Sequence, residues 1–117
     1  MSKITIYQKP TCTTCRRVYS TLKESGVDFE AVNYYVDPIP KAKLKELLKK
    51  MNILASELLR KKEPIYKKLK LEIKKEIKED ELVDLMVKHP DLIQRPIVEK
   101  GSKAILARPA ERIKEIL

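Results

Sequence analysis

Apolar side chains along the chain come in short periodic groups separated by proline and glycine. Ile4-Thr5-Ile6-Tyr7 is rich in β-formers and predicts a strand. Beyond Pro10, the segment Thr13 to Ser25 places Val18, Tyr19 and Leu22 on one face of a helix. Thr13 or Thr14 can cap its start, and Gly26 can take the left-handed conformation that stops it. Phe29 to Val36 is apolar and aromatic over the length of a strand, and Asp37-Pro38-Ile39-Pro40 closes it because two prolines forbid any regular continuation. Strand, helix and strand this closely spaced predict a right-handed βαβ crossover with parallel strands.

Helical spacing then takes over. Leu44, Leu47, Leu48 and Met51 recur at i, i+3, i+4 and i+7 within Lys41 to Met51, the stripe of an amphipathic helix. Ala55 to Lys62 and Pro64 to Leu69 predict short helices, the second with proline at a tolerated first-turn position. Glu79 to His89 carries Leu82, Leu85 and Met86 on one face and stops before Pro90. Ile97-Val98-Glu99 and Lys103-Ala104-Ile105-Leu106 flank a Lys100-Gly101-Ser102 turn and predict an antiparallel hairpin. Pro109 then opens a last helix with Ile113, Ile116 and Leu117 inward. The order βαβ, helical block, ββα predicts one α/β domain over residues 1–117, a thioredoxin-like fold with an α-helical insertion at about 41–90.

Composition narrows the class. At 117 residues and 43% hydrophobic content the chain can bury one modest core, so it needs no disulfide framework or metal to fold. No apolar run approaches the roughly 18 residues of a membrane helix, and Met-Ser-Lys-Ile-Thr-Ile-Tyr lacks the apolar stretch of a signal peptide. A soluble, cytoplasmic protein is expected. The formal charge of +9 is concentrated in residues 41–80, which hold 14 basic and 7 acidic side chains. Most of these fall on polar helix faces with few aromatics among them, so solvated surface is expected there and no direct nucleic-acid binding.

The stretch Pro10-Thr11-Cys12-Thr13-Thr14-Cys15-Arg16-Arg17 joins a strand end to a helix start. Unpaired backbone N–H groups and the positive end of the helix dipole favour thiolate at Cys12, and Arg16 and Arg17 add positive charge. The thiolate is the attacking species in thiol chemistry, so Cys12 is the candidate nucleophile. Cys15, one turn on, can come within disulfide distance and is the natural resolving thiol, expected to be the more buried of the two. Two Cys and one His cannot complete a four-ligand structural metal site within one chain, and a structural disulfide is disfavoured in the cytosol. A chance pair of unreactive thiols stays open as the alternative. His89, without a partner motif, is taken as structural or solvated.

Arginine is scarce, six residues against twenty lysines, and Arg60, Arg95 and Arg108 stand in apolar or proline-flanked settings. A chain that uses lysine for general surface charge can be keeping arginine for planar, forked recognition of an oxyanion. Surface solvation is the competing explanation for each one taken singly.

The motifs Ile4-Thr5-Ile6-Tyr7, Pro10-x-Cys12, Glu57-Leu58-Leu59-Arg60-Lys61, His89-Pro90-x-Leu92-Ile93-x-Arg95-Pro96-Ile97-Val98 and Arg108-Pro109-x-Glu111 together resemble the glutaredoxin-coupled arsenate reductases, in order and over nearly the whole chain. That resemblance implies a thioredoxin-like fold with a helical insertion, no metal or bound cofactor, and a role in arsenic detoxification. It implies that Cys12 attacks arsenate and that Arg60, Arg95 and Arg108 hold the oxyanion, with Pro96 as a cis proline facing the cysteine loop. Glutathione with glutaredoxin, or thioredoxin, is the implied electron donor. Two positions depart from the pattern. Gln8 stands where family members often have His, which leaves tuning of Cys12 to the arginines and the helix end; and Cys15 is a second thiol that many members lack, able to resolve the intermediate internally. The CxxC also resembles the Spx-type redox regulators of the same fold, which bind an RNA polymerase subunit. A general glutaredoxin-like disulfide reductase is the third possibility. The Leu-Leu-Arg-Lys and Arg-Pro-x-Glu motifs at Arg60 and Arg108 favour the arsenate enzyme.

Overall fold

A computed structural model describes residues 3–68 and 77–117. The chain divides into two compact units, Met1–Pro38 with Arg95–Leu117, and Ile39–Gln94. The helical insertion expected at about 41–90 falls within the second.

In the first unit, strand β1 (Ile4–Gln8) leads into helix α1 (Thr13–Glu24) and strand β2 (Phe29–Asn33); β3 (Ile97–Lys100) and β4 (Lys103–Leu106) complete a sheet of order β2-β1-β3-β4. β1 and β2 are parallel, with Ile4 opposite Phe29, as the βαβ spacing predicts. β3 runs antiparallel to β1, with Val98 opposite Ile6, and β4 forms the expected hairpin with β3. Ile4, Ile6, Val98 and Ile105 of the sheet pack with Val18 and Leu22 of α1 and with Ala110, Ile113 and Ile116 near the chain end. This core fixes the end of β1, the start of α1 and the entry to β3 in one rigid frame.

Four details of this unit differ from the sequence expectation. The N-cap of α1 is Cys12, not a threonine, because its backbone is still extended (φ −78°, ψ 127°) while its carbonyl already accepts from the Arg16 N–H at 3.0 Å. Gly26 does stop the helix, at φ +73°. β2 ends at Asn33 rather than Val36: the Asn33 side-chain Oδ1 accepts from the Tyr35 N–H at 3.0 Å and its carbonyl from Val36 and Asp37, a turn that overrides the apolar run. Tyr19 lies off the buried face of α1, meeting Phe29 edge-on with ring centroids 5.3 Å apart. The last helix is a 3-10 segment, Ala110–Glu115, that buries Ile113 and Ile116 but leaves Leu117 exposed.

In the second unit, helix α2 (Lys41–Met51) buries Leu44, Leu47 and Leu48 and closes on Asn52 in the left-handed conformation. Helix α3 (Ala55–Leu58) is shorter than the predicted Ala55 to Lys62, because Leu59 turns extended and bridges to Ile93. The Arg60 N–H then donates to the Leu92 carbonyl at 2.8 Å and the Gln94 N–H to Leu58 at 2.9 Å. Helix α4 (Pro64–Lys68) follows; Leu69, the last residue of the helix expected there, lies outside the described residues. Helix α5 (Glu79–Lys88) starts with Glu79, Asp80 and Glu81, acidic side chains that suit the positive end of a helix, and buries Leu82, Val83 and Met86. Among the described residues, no helix is long and apolar enough to cross a membrane.

Candidate active site

The site begins where β1 ends. The Cys12 N–H donates to the Lys9 carbonyl at 2.9 Å, folding Lys9 to Cys12 into a tight loop that sets Cys12 at the head of α1. No side-chain oxygen caps this twelve-residue helix. The half-buried Cys12 sulfur instead faces the backbone N–H and thiol of Cys15 and the guanidinium of Arg95. Its partial burial works against ionisation, and these three donors outweigh it, so the Cys12 pKa falls below the ordinary thiol value. Cys15 is the reverse case. It is fully buried on the inner face of α1, and burial, reinforced by the neighbouring Cys12, pushes its thiol up to about 12. The two thiols are thus pushed in opposite directions, Cys12 toward easier ionisation and Cys15 toward retention of its proton.

Arg95 supplies the cation. It immediately precedes β3, and only 6% of its surface is exposed. One terminal nitrogen donates to the Tyr35 hydroxyl at 3.3 Å, and the guanidinium carbon lies 6.0 Å from the centre of the Tyr35 ring. Burial works against the charge, but the neighbouring Tyr34 and Tyr35 more than offset it, so the pKa of Arg95 lies above the ordinary arginine value. Its Nε is buried with no hydrogen-bond partner. A buried donor left unpaired costs about 1–3 kcal/mol, so in a native protein it calls for a reason, such as an acceptor that binds there. The Tyr34-Tyr35 cradle was not foreseen from sequence; the turn signal at Asn33 preceding two aromatics was the available hint.

Arg108 reaches the same corner through the backbone: its terminal nitrogen donates to the Arg95 carbonyl at 3.1 Å, tying the segment after β4 to the segment before β3. The Ala107 N–H adds a second tie to the Pro96 carbonyl at 2.9 Å. The Arg95–Pro96 bond is cis, as the family resemblance implies, and so is Arg108–Pro109, which was not anticipated. Gln8 is buried at the end of β1 and lines, with Pro10, Arg16 and Asn33, a hollow of about 610 Å³. Arg16 braces the loop by donating from Nε to the Pro10 carbonyl at 3.1 Å, and Arg17 is engaged by Glu111 at 2.6 Å on the surface. The structure thus gathers Cys12, Cys15, Arg95 and Arg108. Arg60 belongs to the second unit, where its Nε donates to Glu63 at 3.0 Å. Among the described residues no group of His, Cys, Asp and Glu could hold a metal ion.

The chain as a whole is similar in sequence and fold to other proteins. A family model described as the ArsC family matches residues 7–116. An arsenate reductase of Escherichia coli strain K12 is 38% identical across all of this chain and 82% of its own length. A protein of the same strain named only as uncharacterized protein YfgD is 40% identical over 98% of this chain and 97% of its own. The solved structure of an arsenate reductase from Vibrio cholerae superposes with a TM-score of 0.93 at 31% identity, covering 99% of this chain and 98% of that one. The mixed four-stranded sheet with its helices is accordingly the thioredoxin-like architecture that the element order predicted.

Proposed function

The chain belongs to the ArsC family, and from that premise we propose that it is a thiol-dependent arsenate reductase in which the Cys12 thiolate attacks the arsenic of a bound arsenate. A sulfur–arsenic bond forms and hydroxide or water leaves. Arg95 and Arg108 hold the oxyanion, and Arg95 neutralises charge as it develops, the preorganised electrostatic contribution that is usually the largest. Arg60 is assigned to oxyanion binding by its motif alone. A second thiol, Cys15 or an external one, then takes the Cys12 sulfur off arsenic and leaves As(III). Glutathione with glutaredoxin, or thioredoxin, restores the thiols; no bound cofactor takes part, and the reaction belongs in the cytoplasm.

The observation that carries this reading is a cysteine at a helix start, its pKa lowered in part by a buried arginine whose Nε lacks a partner. Arsenite formation from arsenate, with each donor system in turn, tests it. Cys12→Ser should show no turnover, and arsenite production by that variant at the wild-type rate would overturn the assignment. The adjacency of Cys12 and Cys15 also fits a general disulfide reductase or an Spx-like switch. Faster reduction of a model disulfide than of arsenate would favour the first. Redox-dependent capture of an RNA polymerase subunit would favour the second.

A further inference from the structure

We propose that Cys15 is the second thiol of the cycle, so that arsenate reduction closes within the chain as a Cys12–Cys15 disulfide and the external reductant is a dithiol protein rather than glutathione. The inference rests on the arsenate reading above and specifies its electron path.

Position comes first. Cys12 is the N-cap of α1 and Cys15 stands three residues on, one turn inside the helix, so the two side chains are neighbours at i, i+3. Cysteines at that spacing are within reach of the ~2.05 Å of a disulfide. Access comes second. Cys15 is 0% exposed, so an external thiol cannot reach it, whereas Cys12 is half-buried and open to a partner. A buried cysteine is ordinarily a small core hydrophobe. This one faces an ionisable sulfur instead.

The order of events follows from charge. While Cys12 is a thiolate, it helps hold the proton on Cys15. Once Cys12 is bonded to arsenic, that negative charge is gone and Cys15 ionises more readily. Burial, the larger cause, remains, and the loss of that charge favours attack by Cys15 after Cys12 has reacted and not before. Its sulfur then bonds to the Cys12 sulfur and the Cys12 sulfur–arsenic bond breaks. The electron pair of that bond remains on arsenic, which passes from As(V) to As(III), and the Cys15 proton goes to an arsenite oxygen. The two thiols lose the two electrons that arsenic gains.

The choice of reductant follows from the same adjacency. An incoming thiol must attack the accessible Cys12 sulfur and form a mixed disulfide there. Cys15 can re-attack that mixed disulfide at high effective concentration and expel a monothiol. A dithiol protein escapes this reversal because its own second thiol attacks just as locally.

A single-turnover measurement tests the proposal. The full-length chain is reduced, freed of small thiols under nitrogen and mixed with excess arsenate. The expected result is about one arsenite per chain, loss of both of the chain's two titratable thiols, and a Cys12–Cys15 disulfide peptide by mass. Cys15→Ser should form no arsenite here and should recover it when glutathione is added; Cys15→Ala provides a second variant that adds no hydroxyl to the buried position. In steady state, a thioredoxin-type dithiol protein should exceed glutathione by at least about tenfold for the wild-type chain, and the preference should vanish in Cys15→Ser. If the wild-type chain keeps both thiols and makes arsenite only after glutathione is added, the proposal is overturned while the arsenate reading stands. If neither monothiol nor dithiol yields arsenite, the arsenate reading itself fails and this proposal with it.

Discussion

The Cys12 corner of the first unit and the helices α2 and α5, which pack on each other within the second, use charge in opposite ways. On α2 and α5, Lys41 pairs with Asp80 and Asp84 at 2.9 Å each, Lys45 also pairs with Asp80, and Lys43 pairs with Glu46 within α2. Those charges are numerous, exposed and neutralised by neighbours. At the Cys12 corner one guanidinium is almost wholly buried, is cradled by tyrosines, and pairs with no carboxylate among the described residues. The proposed site is therefore marked by a buried guanidinium with no carboxylate beside it among the described residues, and the density of charge is a poor guide to it. Each of the following experiments asks whether that contrast holds.

The largest effect is expected at the sulfur itself. Cys12→Ser exchanges a thiol whose pKa is lowered for a hydroxyl that stays protonated at any working pH, so turnover should disappear while the fold is retained, with CD and Tm close to wild type. Next is Arg95→Ala. Loss of one preorganised donor to a developing oxyanion typically costs about 10²–10³ in kcat, and a loss in that range is expected here. A drop of less than about threefold would place the oxyanion elsewhere.

The pH profile separates the two tasks of Arg95. Because Arg95 helps lower the Cys12 pKa, the rising limb of kcat/KM should lie below the ordinary thiol range in the wild-type chain. Removing the guanidinium leaves the opposing effect of burial in place, so in Arg95→Ala the limb should move to higher pH. Arg95→Lys keeps a charge but loses the fork, so it should restore much of the limb's position while KM stays raised. A limb that does not move in Arg95→Ala would mean that Arg95 acts on the substrate alone. Arg60→Ala tests the assignment made by motif, with a rise in KM as its expected signature and an unchanged KM as the result against it.

How much of this was legible in the sequence depended on how local the cause was. The βαβ unit, α2 and the hairpin were readable because side-chain periodicity and the prolines that bound them act over a few residues. The burial of Cys15 beneath Cys12 followed from the same helical period. The early end of β2 was missed because an Asn33 side-chain bond to the Tyr35 backbone competes with an otherwise strand-like run. Cys12 displaced the threonines as N-cap because the hydrogen bond from its N–H to Lys9 sets where the helix can begin. Arg95 could be singled out by the rarity of arginine. Its tyrosine cradle and its tie to Arg108 join residues 60 and 13 positions apart, beyond the reach of any local pattern.

The smallest effect is expected from Asp80→Asn, and this null result carries information of its own. Asp80 is the hub of the α2–α5 network, contacted by both Lys41 and Lys45, which hold its carboxyl down at about 2. Its folded pKa lies below its unfolded value, so whatever stability it lends is fully present above pH 4 or so and is lost as pH falls through the folded value. These ion pairs lie at the exposed surface, where salt screens them and the lysine side chains must be ordered to make them. Arsenate turnover of Asp80→Asn at neutral pH should match wild type, and its Tm should differ only slightly, with the difference shrinking in high salt and disappearing in acid. A turnover defect in this variant would mean that the paired charges of the second unit take part in the chemistry, and the contrast between the two regions would no longer locate the site.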